Sequence, residues 1–519
     1  MMCFMRRISI LVFVSIVGFG QPMTRQMQVD KIFSAFNTQT PGCAVGVSQA
    51  GRVVLTGGYG MADLERDVAI GPGTIFESGS VAKQFTAATL ILLAQQGKIS
   101  LDDKMGKYLP ELTGATAGVT IRQVMSHVSG MREWRPVATY SGRDENESVL
   151  SNKDLLAFAS RQKALNFDQG SAYSYSNTGY NIATILVERA LGNGTTFQAY
   201  TQENIFGPLE MTHTKWRDNF RAIVPGRALA YTRRTDGVIE QATPIGNIIG
   251  AGGLLSTVGD LLKWNENFAE QKVGGKEMAE LQQKRAVLNN GKTIAYAAGL
   301  QVTVVDGLRE VAHSGATGGY RTWLGRYPDQ GLSVAVLCNS AQAVPTNLGR
   351  ETARLWTGAV KQNVAQTNGV DVSGMEGLYR KLRDNSAVEV KAKDGLFVLP
   401  NGAALTPGEG GRLLIPGENG DTVYERVELA KPMARELASF AGVYSTPETG
   451  SKLVVAVNAR GALTLRIGGA EPIALTPTFQ DAFRSGEGSI LFRRNAAGKV
   501  VGLSVGDDRV WDLRFERVK

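Results

Sequence analysis

Histidine and cysteine are scarce in this chain, with three of each among 519 residues. His127, His213 and His313 stand far apart, which argues against a histidine-rich metal centre. There is no CxxC pair, and Cys3 falls in the extreme N-terminal segment. Cys43 and Cys338 each sit in an apolar, strand-like run. They read as two buried thiols acting as small hydrophobes. The alternative is one disulfide, formed if the first and last strands of a sheet are neighbours in an oxidising compartment. Charge of one sign is not concentrated anywhere. The 56 basic and 48 acidic residues leave a formal charge of +8, scattered without a basic run, so nucleic acid is not expected as a partner. Long apolar runs are also lacking, except at residues 8–19. That stretch follows Arg6 and Arg7, and Gly18 and Gly20 give small-x-small spacing before Gln21. It is short for a membrane span and fits an export signal over 1–20, which implies a secreted or periplasmic protein.

What is present is ordinary globular composition with many turns: 43% hydrophobic residues, 20% charged and 61 glycines. At roughly 100–200 residues per domain, the length predicts two to four domains. Residues 27–36 read as a short helix. Residues 43–49 and 52–59 read as a hairpin over Ala50-Gly51. Residues 80–96 form the clearest helix, ending at Gly97. Helical stretches at 154–160, 179–190 and 258–268 alternate with glycine-rich loops. A strand pair at 319–327 and 331–339 and a helix at 346–356 follow. Strands first, helices between and strands last predict an α/β domain over 27–360, its antiparallel sheet flanked by helices and closed by the two ends.

Residues 361–371 are polar and read as a linker. Beyond them, three short segments recur in order. Gly377-Leu378-Tyr379 returns as Gly442-Val443-Tyr444, and Ala404-Leu405-Thr406-Pro407 as Ala474-Leu475-Thr476-Pro477. Tyr424-Glu425-Arg426-Val427 returns as Phe515-Glu516-Arg517-Val518. With alternating apolar runs throughout, this predicts two antiparallel β modules, barrel or sandwich, over 372–430 and 436–519.

Three short stretches carry potential chemistry. In Ser80-Val81-Ala82-Lys83, a serine at a helix head and a lysine three residues on share one face. The helix end offers free N–H groups and positive potential, and Lys83 serves as a base if burial lowers its proton affinity. Tyr175-Ser176-Asn177 offers a phenol for proton transfer and an amide to hold Lys83 and a substrate carbonyl. His313-Ser314-Gly315-Ala316 is a glycine-rich strand edge. Its Ala316 N–H could join the Ser80 N–H in an oxyanion hole, and His313 could hydrogen-bond the tyrosine or the substrate.

This order of motifs resembles the penicillin-recognising serine hydrolases, the superfamily of class C β-lactamases, DD-carboxypeptidases, D-aminopeptidases and related esterases. Their signature is S-x-x-K, Y-x-N, then a Lys- or His-x-Gly triplet on a strand. The resemblance extends over roughly 28–360, through Val124-Met125-Ser126-His127-Val128-Ser129-Gly130-Met131, Ile205-Phe206-Gly207-Pro208-Leu209-Glu210-Met211 and Gly252-Gly253-Leu254-Leu255-Ser256-Thr257. It implies a catalytic domain of β-lactamase/transpeptidase type. By the same resemblance Ser80 is the nucleophile, Lys83 its partner, Tyr175 the base or proton relay and Asn177 a substrate-orienting group. His313 stands where class C β-lactamases have lysine, which weakens the case for a β-lactam carboxylate, although a protonated imidazole would partly substitute. Ser314, Gly315 and Arg321 are the remaining substrate contacts, and His127 reads as structural. The implied substrate is a small amide or ester, with no metal or organic cofactor. One catalytic domain followed by two β modules resembles the layout of the D-aminopeptidases, in which a module projection narrows the active site. The candidate projections here are 478–486 and 407–411.

Overall fold

The computed structural model describes residues 23–143, 147–362, 374–393, 396–399 and 403–519. The export signal read at 1–20 lies outside them, as does the linker read at 361–371 apart from its first two residues.

A hairpin of β1 (Cys43–Gln49) and β2 (Arg52–Tyr59) turns over Ala50 and Gly51, both with positive φ as a two-residue hairpin turn requires. Four later strands join it: β3 (Gln301–Val305), β4 (Leu308–Thr317), β5 (Tyr320–Tyr327) and β6 (Leu332–Cys338). The order is β3-β4-β5-β6-β1-β2, antiparallel throughout. β1 and β6 are buried along nearly their whole length because both faces are covered, and Ser48, Gln49 and Ser333 are their only polar residues. Ala44, Ala335 and Leu337 pack into the larger core with α2 (Lys83–Gln95), α3 (Asn177–Leu191) and α4 (Val258–Glu270). Val45, Val47, Val334 and Val336 face a second core under α1 (Arg25–Ile32) and α5 (Pro345–Thr357).

Cys43 and Cys338 are direct cross-strand neighbours in this sheet, and they form a disulfide. The reading as free buried thiols is therefore corrected. The pairing follows from β1 lying beside β6, a tertiary fact that neither cysteine's local sequence contains.

Two all-β units follow. Six strands, from Gly377–Lys381 to Thr422–Arg426, close into a barrel, and nine strands between residues 442 and 517 form one antiparallel sheet. The sequence repeat has a physical basis. In each unit the first strand pairs with the last, Tyr379 opposite Arg426 and Tyr444 opposite Arg517. Each tyrosine hydroxyl donates to the carbonyl four residues before it, Met375 or Phe440. Each arginine donates to two carbonyls just before the first strand, Gly374 and Glu376 for Arg426, Ser439 and Ala441 for Arg517.

The disulfide closes a 295-residue separation. Its reduction is expected to cost roughly 2–4 kcal/mol of stability. Calorimetry should show a lower melting temperature in reductant, and the Cys338→Ala variant should show no further loss when reductant is added.

Candidate active site

Ser80 sits in a 3-10 turn, Gly79–Ala82, that leads into α2, so the helix read from residue 80 begins three residues later, at Lys83. Side chains at i and i+3 eclipse in a 3-10 turn. This brings Lys83 Nζ to 3.1 Å from Ser80 Oγ. Lys83 is completely buried, yet every polar direction around its nitrogen is filled. Nζ donates to Asn177 Oδ1 at 2.7 Å and to the Ala251 carbonyl at 2.9 Å. Burial drives its proton affinity well below the usual lysine range. The Glu133 carboxylate opposes this, and the Arg509 and Arg135 charges add to it.

Asn177 is the first residue of α3, and Tyr175 lies just before it. The buried Glu133 grips Asn177 twice, accepting from its backbone N–H at 2.5 Å and from Nδ2 at 2.8 Å. The amide can then present only its oxygen to Lys83. The Tyr175 ring centroid lies 4.8 Å from Lys83 Nζ. Burial pushes its phenol up, while the nearby Ser80 hydroxyl and the Arg509 charge act the other way. His127 packs its ring 4.2 Å from that of Tyr175, and its Nδ1 accepts from the Ser176 N–H. It thereby braces the loop that carries Tyr175.

β4 supplies the opposite wall. Its register against β5 sets His313 opposite Leu324 and Ala316 opposite Arg321. The chain passes so close to the Ser80 turn that only glycine fits at two facing points. A Cβ on Gly79, which has φ +51, would lie 2.6 Å from the Ala316 nitrogen. A Cβ on Gly315 would lie 2.1 Å from the Ser78 oxygen and 3.0 Å from the Ser80 nitrogen. The amides of Ser80 and Ala316 are thereby brought together at the cavity wall.

His313 is buried, with Nδ1 2.6 Å from the Ser314 carbonyl and Nε2 2.8 Å from the Tyr296 hydroxyl. A carbonyl only accepts, so Nδ1 carries the proton and Nε2 accepts from Tyr296. Burial, together with the Lys83 charge, pushes the imidazole down to about 3. His313 is thus a neutral ring with both nitrogens occupied. Burial removes the allowance for a protonated imidazole in place of a lysine charge, and the doubt over a β-lactam carboxylate stands.

These residues line one cavity of about 940 Å³, with Ser80, Tyr175, Asn177, His313, Ser314, Gly315, Ala316 and Arg321 all on its wall. Arg321 donates to the Gly318 and Tyr320 carbonyls. The only carboxylate on the wall among the described residues, Glu77, is taken up by Arg217 at 2.8 Å. The last sheet also reaches the cavity, though through neither segment expected from the sequence. Residues 478–486 and 407–411 do not line it, whereas Arg509 does, on the turn between Val500–Gly506 and Leu513–Arg517. Arg509 Cζ lies 4.8 Å from the Tyr175 ring centroid. The barrel contributes from further back. Asn419 Oδ1 accepts from the Tyr296 N–H and fixes the residue that holds His313. Glu133, Tyr296 and Arg509 were not found from the sequence, because each is a lone residue with no spacing signature.

Comparison with known proteins gives the family. The Beta-lactamase family model matches residues 29–357. A D-aminopeptidase of Gluconobacter oxydans is 24% identical, over 92% of this chain and 96% of the relative. Penicillin-binding protein 4* of Bacillus subtilis is 26% identical over 57% of this chain and 67% of that protein. Among solved structures, the octameric penicillin-binding protein homologue from Pyrococcus abyssi aligns with a TM-score of 0.58 at 19% identity, covering 95% of this chain and 98% of that one. The D-amino acid amidase from Ochrobactrum anthropi SV3 aligns with a TM-score of 0.53 at 19% identity, over 64% of this chain and 96% of its own. The chain belongs to the Beta-lactamase family and is a serine hydrolase of that fold.

The contact between β4 and the Ser80 turn leaves no room for a methyl group at residue 315. Gly315→Ala is expected to displace the Ser80 amide and lower kcat on the order of 10²-fold. Thermal unfolding of the same variant serves as the control, since a cavity-wall shift should move kcat far more than the melting temperature.

Proposed function

We propose that this protein hydrolyses small amides next to a D-amino-acid residue through an acyl-enzyme on Ser80. The observation that carries the proposal is the buried Lys83 amine aimed at a hydroxyl. A neutral amine has two N–H groups and one lone pair. The Asn177 oxygen and the Ala251 carbonyl take the two N–H groups, so the lone pair faces Ser80 Oγ 3.1 Å away. Lys83 takes the hydroxyl proton as Ser80 Oγ bonds to the substrate carbonyl carbon. The Ser80 and Ala316 N–H groups receive the developing oxyanion. Tyr175, a buried phenol on the same cavity wall as Ser80, donates its proton to the leaving nitrogen and recovers one from Lys83. Water then attacks the acyl-enzyme, with the same groups run in reverse. His313 holds the wall against which Tyr175 packs.

The substrate class rests on two supports. Relatives aligned over most of this chain carry the name D-aminopeptidase, and an amidase acting on D-amino acids shares the fold. The cavity wall is also mixed in polarity, with Arg321 and Arg509 upon it, unlike the apolar acyl pocket an esterase would present. An export signal at 1–20 would place this activity outside the cytoplasm.

Three chromogenic substrates separate the alternatives: D-alanine p-nitroanilide, a short-chain nitrophenyl ester and nitrocefin. The anilide is expected to be turned over with preference for the D over the L isomer. Ser80→Ala is expected to abolish turnover and labelling by a fluorophosphonate while leaving the melting temperature within a few degrees. Wild-type turnover by a folded Ser80→Ala protein would refute the mechanism.

A further inference from the structure

The turn between the last two long strands of the C-terminal sheet is built to hold one side chain in place. Asp507 accepts the N–H groups of Arg509 and Val510 at 2.7 and 2.6 Å, and its own N–H donates to the Val510 carbonyl. Val510 is buried in the core of the sheet, and Trp511 packs its ring 4.9 Å from that of Phe167. The Arg509 carbonyl accepts from Asn166 Nδ2 at 2.8 Å and from the Glu133 N–H at 3.4 Å, and the Trp511 N–H donates to Asn166 Oδ1. Beside this contact, Arg132 donates to the Asp512 carbonyl at 2.6 Å and pairs with the buried Glu448 at 2.5 Å. The turn is therefore fastened to the catalytic domain on both sides of Arg509. The guanidinium itself makes no hydrogen bond to a described residue, and it stands over the Tyr175 ring.

We propose that Arg509 is a positioning residue for the proposed reaction, supplied by the C-terminal sheet, whose fixed positive charge biases the Tyr175–Lys83 pair toward its proton-poor form. This rests on the acyl-enzyme reading above. A cation beside a phenol favours the phenolate, and a cation beside an amine favours the neutral amine, so one charge acts on both groups in the same direction. The Arg509 charge lowers the proton affinity of Lys83 and of Tyr175. The other groups facing the pair are Ser80, the Glu133 carboxylate, Arg135, the neutral rings of His127 and His313, and the phenols of Tyr173, Tyr180 and Tyr296. Glu133 pulls the opposite way while it aligns Asn177, and Arg509 offsets that pull.

The test is the pH profile of kcat/KM for the full-length protein, measured on the best anilide substrate with wild type, Arg509→Gln and Arg509→Lys. Loss of a positive charge lets Lys83 and Tyr175 keep their protons to higher pH. The rising limb for Arg509→Gln should move alkaline by roughly half to one unit, as one unscreened charge at this range produces. Arg509→Lys should restore most of the shift. A limb unmoved in Arg509→Gln overturns the proposal. So does a rise in KM confined to carboxylate-bearing substrates at an unchanged limb, which would make Arg509 a substrate contact instead. Ser80→Ala run in parallel keeps the two readings apart. If that variant stays active, the acyl-enzyme reading fails. If it is inactive and the limb does not move, only the role of Arg509 fails.

Discussion

An amine stripped of water must be satisfied by whatever surrounds it, and the catalytic domain is arranged around that requirement. Lys83 is completely enclosed, with one amide oxygen, one backbone carbonyl and one hydroxyl within reach. A protonated lysine at this depth would be costly. Burial lowers its proton affinity while Nζ stands 3.1 Å from Ser80 Oγ. The other parts of the site hold those partners still. Glu133 prevents the Asn177 amide from flipping, and the Ala251 carbonyl comes from the loop before Leu254–Ser256. The glycine contact between β4 and the Ser80 turn sets where the hydroxyl stands.

The two β units add support from outside the catalytic domain. The barrel steadies the segment around Tyr296 through Asn419 and through the Glu418 carbonyl, which accepts from the Ala295 N–H. Tyr296 in turn holds Nε2 of His313, whose tautomer is set by the Ser314 carbonyl on Nδ1. The nine-stranded sheet docks through Arg132, Asn166 and Glu448 and places Arg509 in the cavity. The first unit thus acts on the site through two intermediaries, whereas the second touches it.

Much of this was legible in the sequence because it is encoded by spacing. The S-x-x-K and Y-x-N patterns are local, so the residues that must meet are already one turn or two residues apart. The repeated Gly-x-Tyr and Glu-Arg-Val segments of the β units were legible for the same reason, since each marks one strand with a fixed partner. Glu133, Tyr296 and Arg509 were not, because their roles depend on contacts with distant segments and each stands alone in its own. The same holds for Cys43 and Cys338, where the chemistry was legible and the adjacency was not. His313 was found by pattern, but its protonation was left open, because burial decides it and a pattern does not record depth.

The adjacency of β1 and β6 has a consequence for how the molecule comes into being. β1 is emitted early from a growing polypeptide, yet one of its two neighbours follows almost three hundred positions later. Until then a largely apolar strand has one unzipped side. Long-range pairing of this kind is slow to assemble and leaves sticky intermediates. Biogenesis of this enzyme therefore places a premium on whatever keeps that ribbon occupied while its mate is still to come.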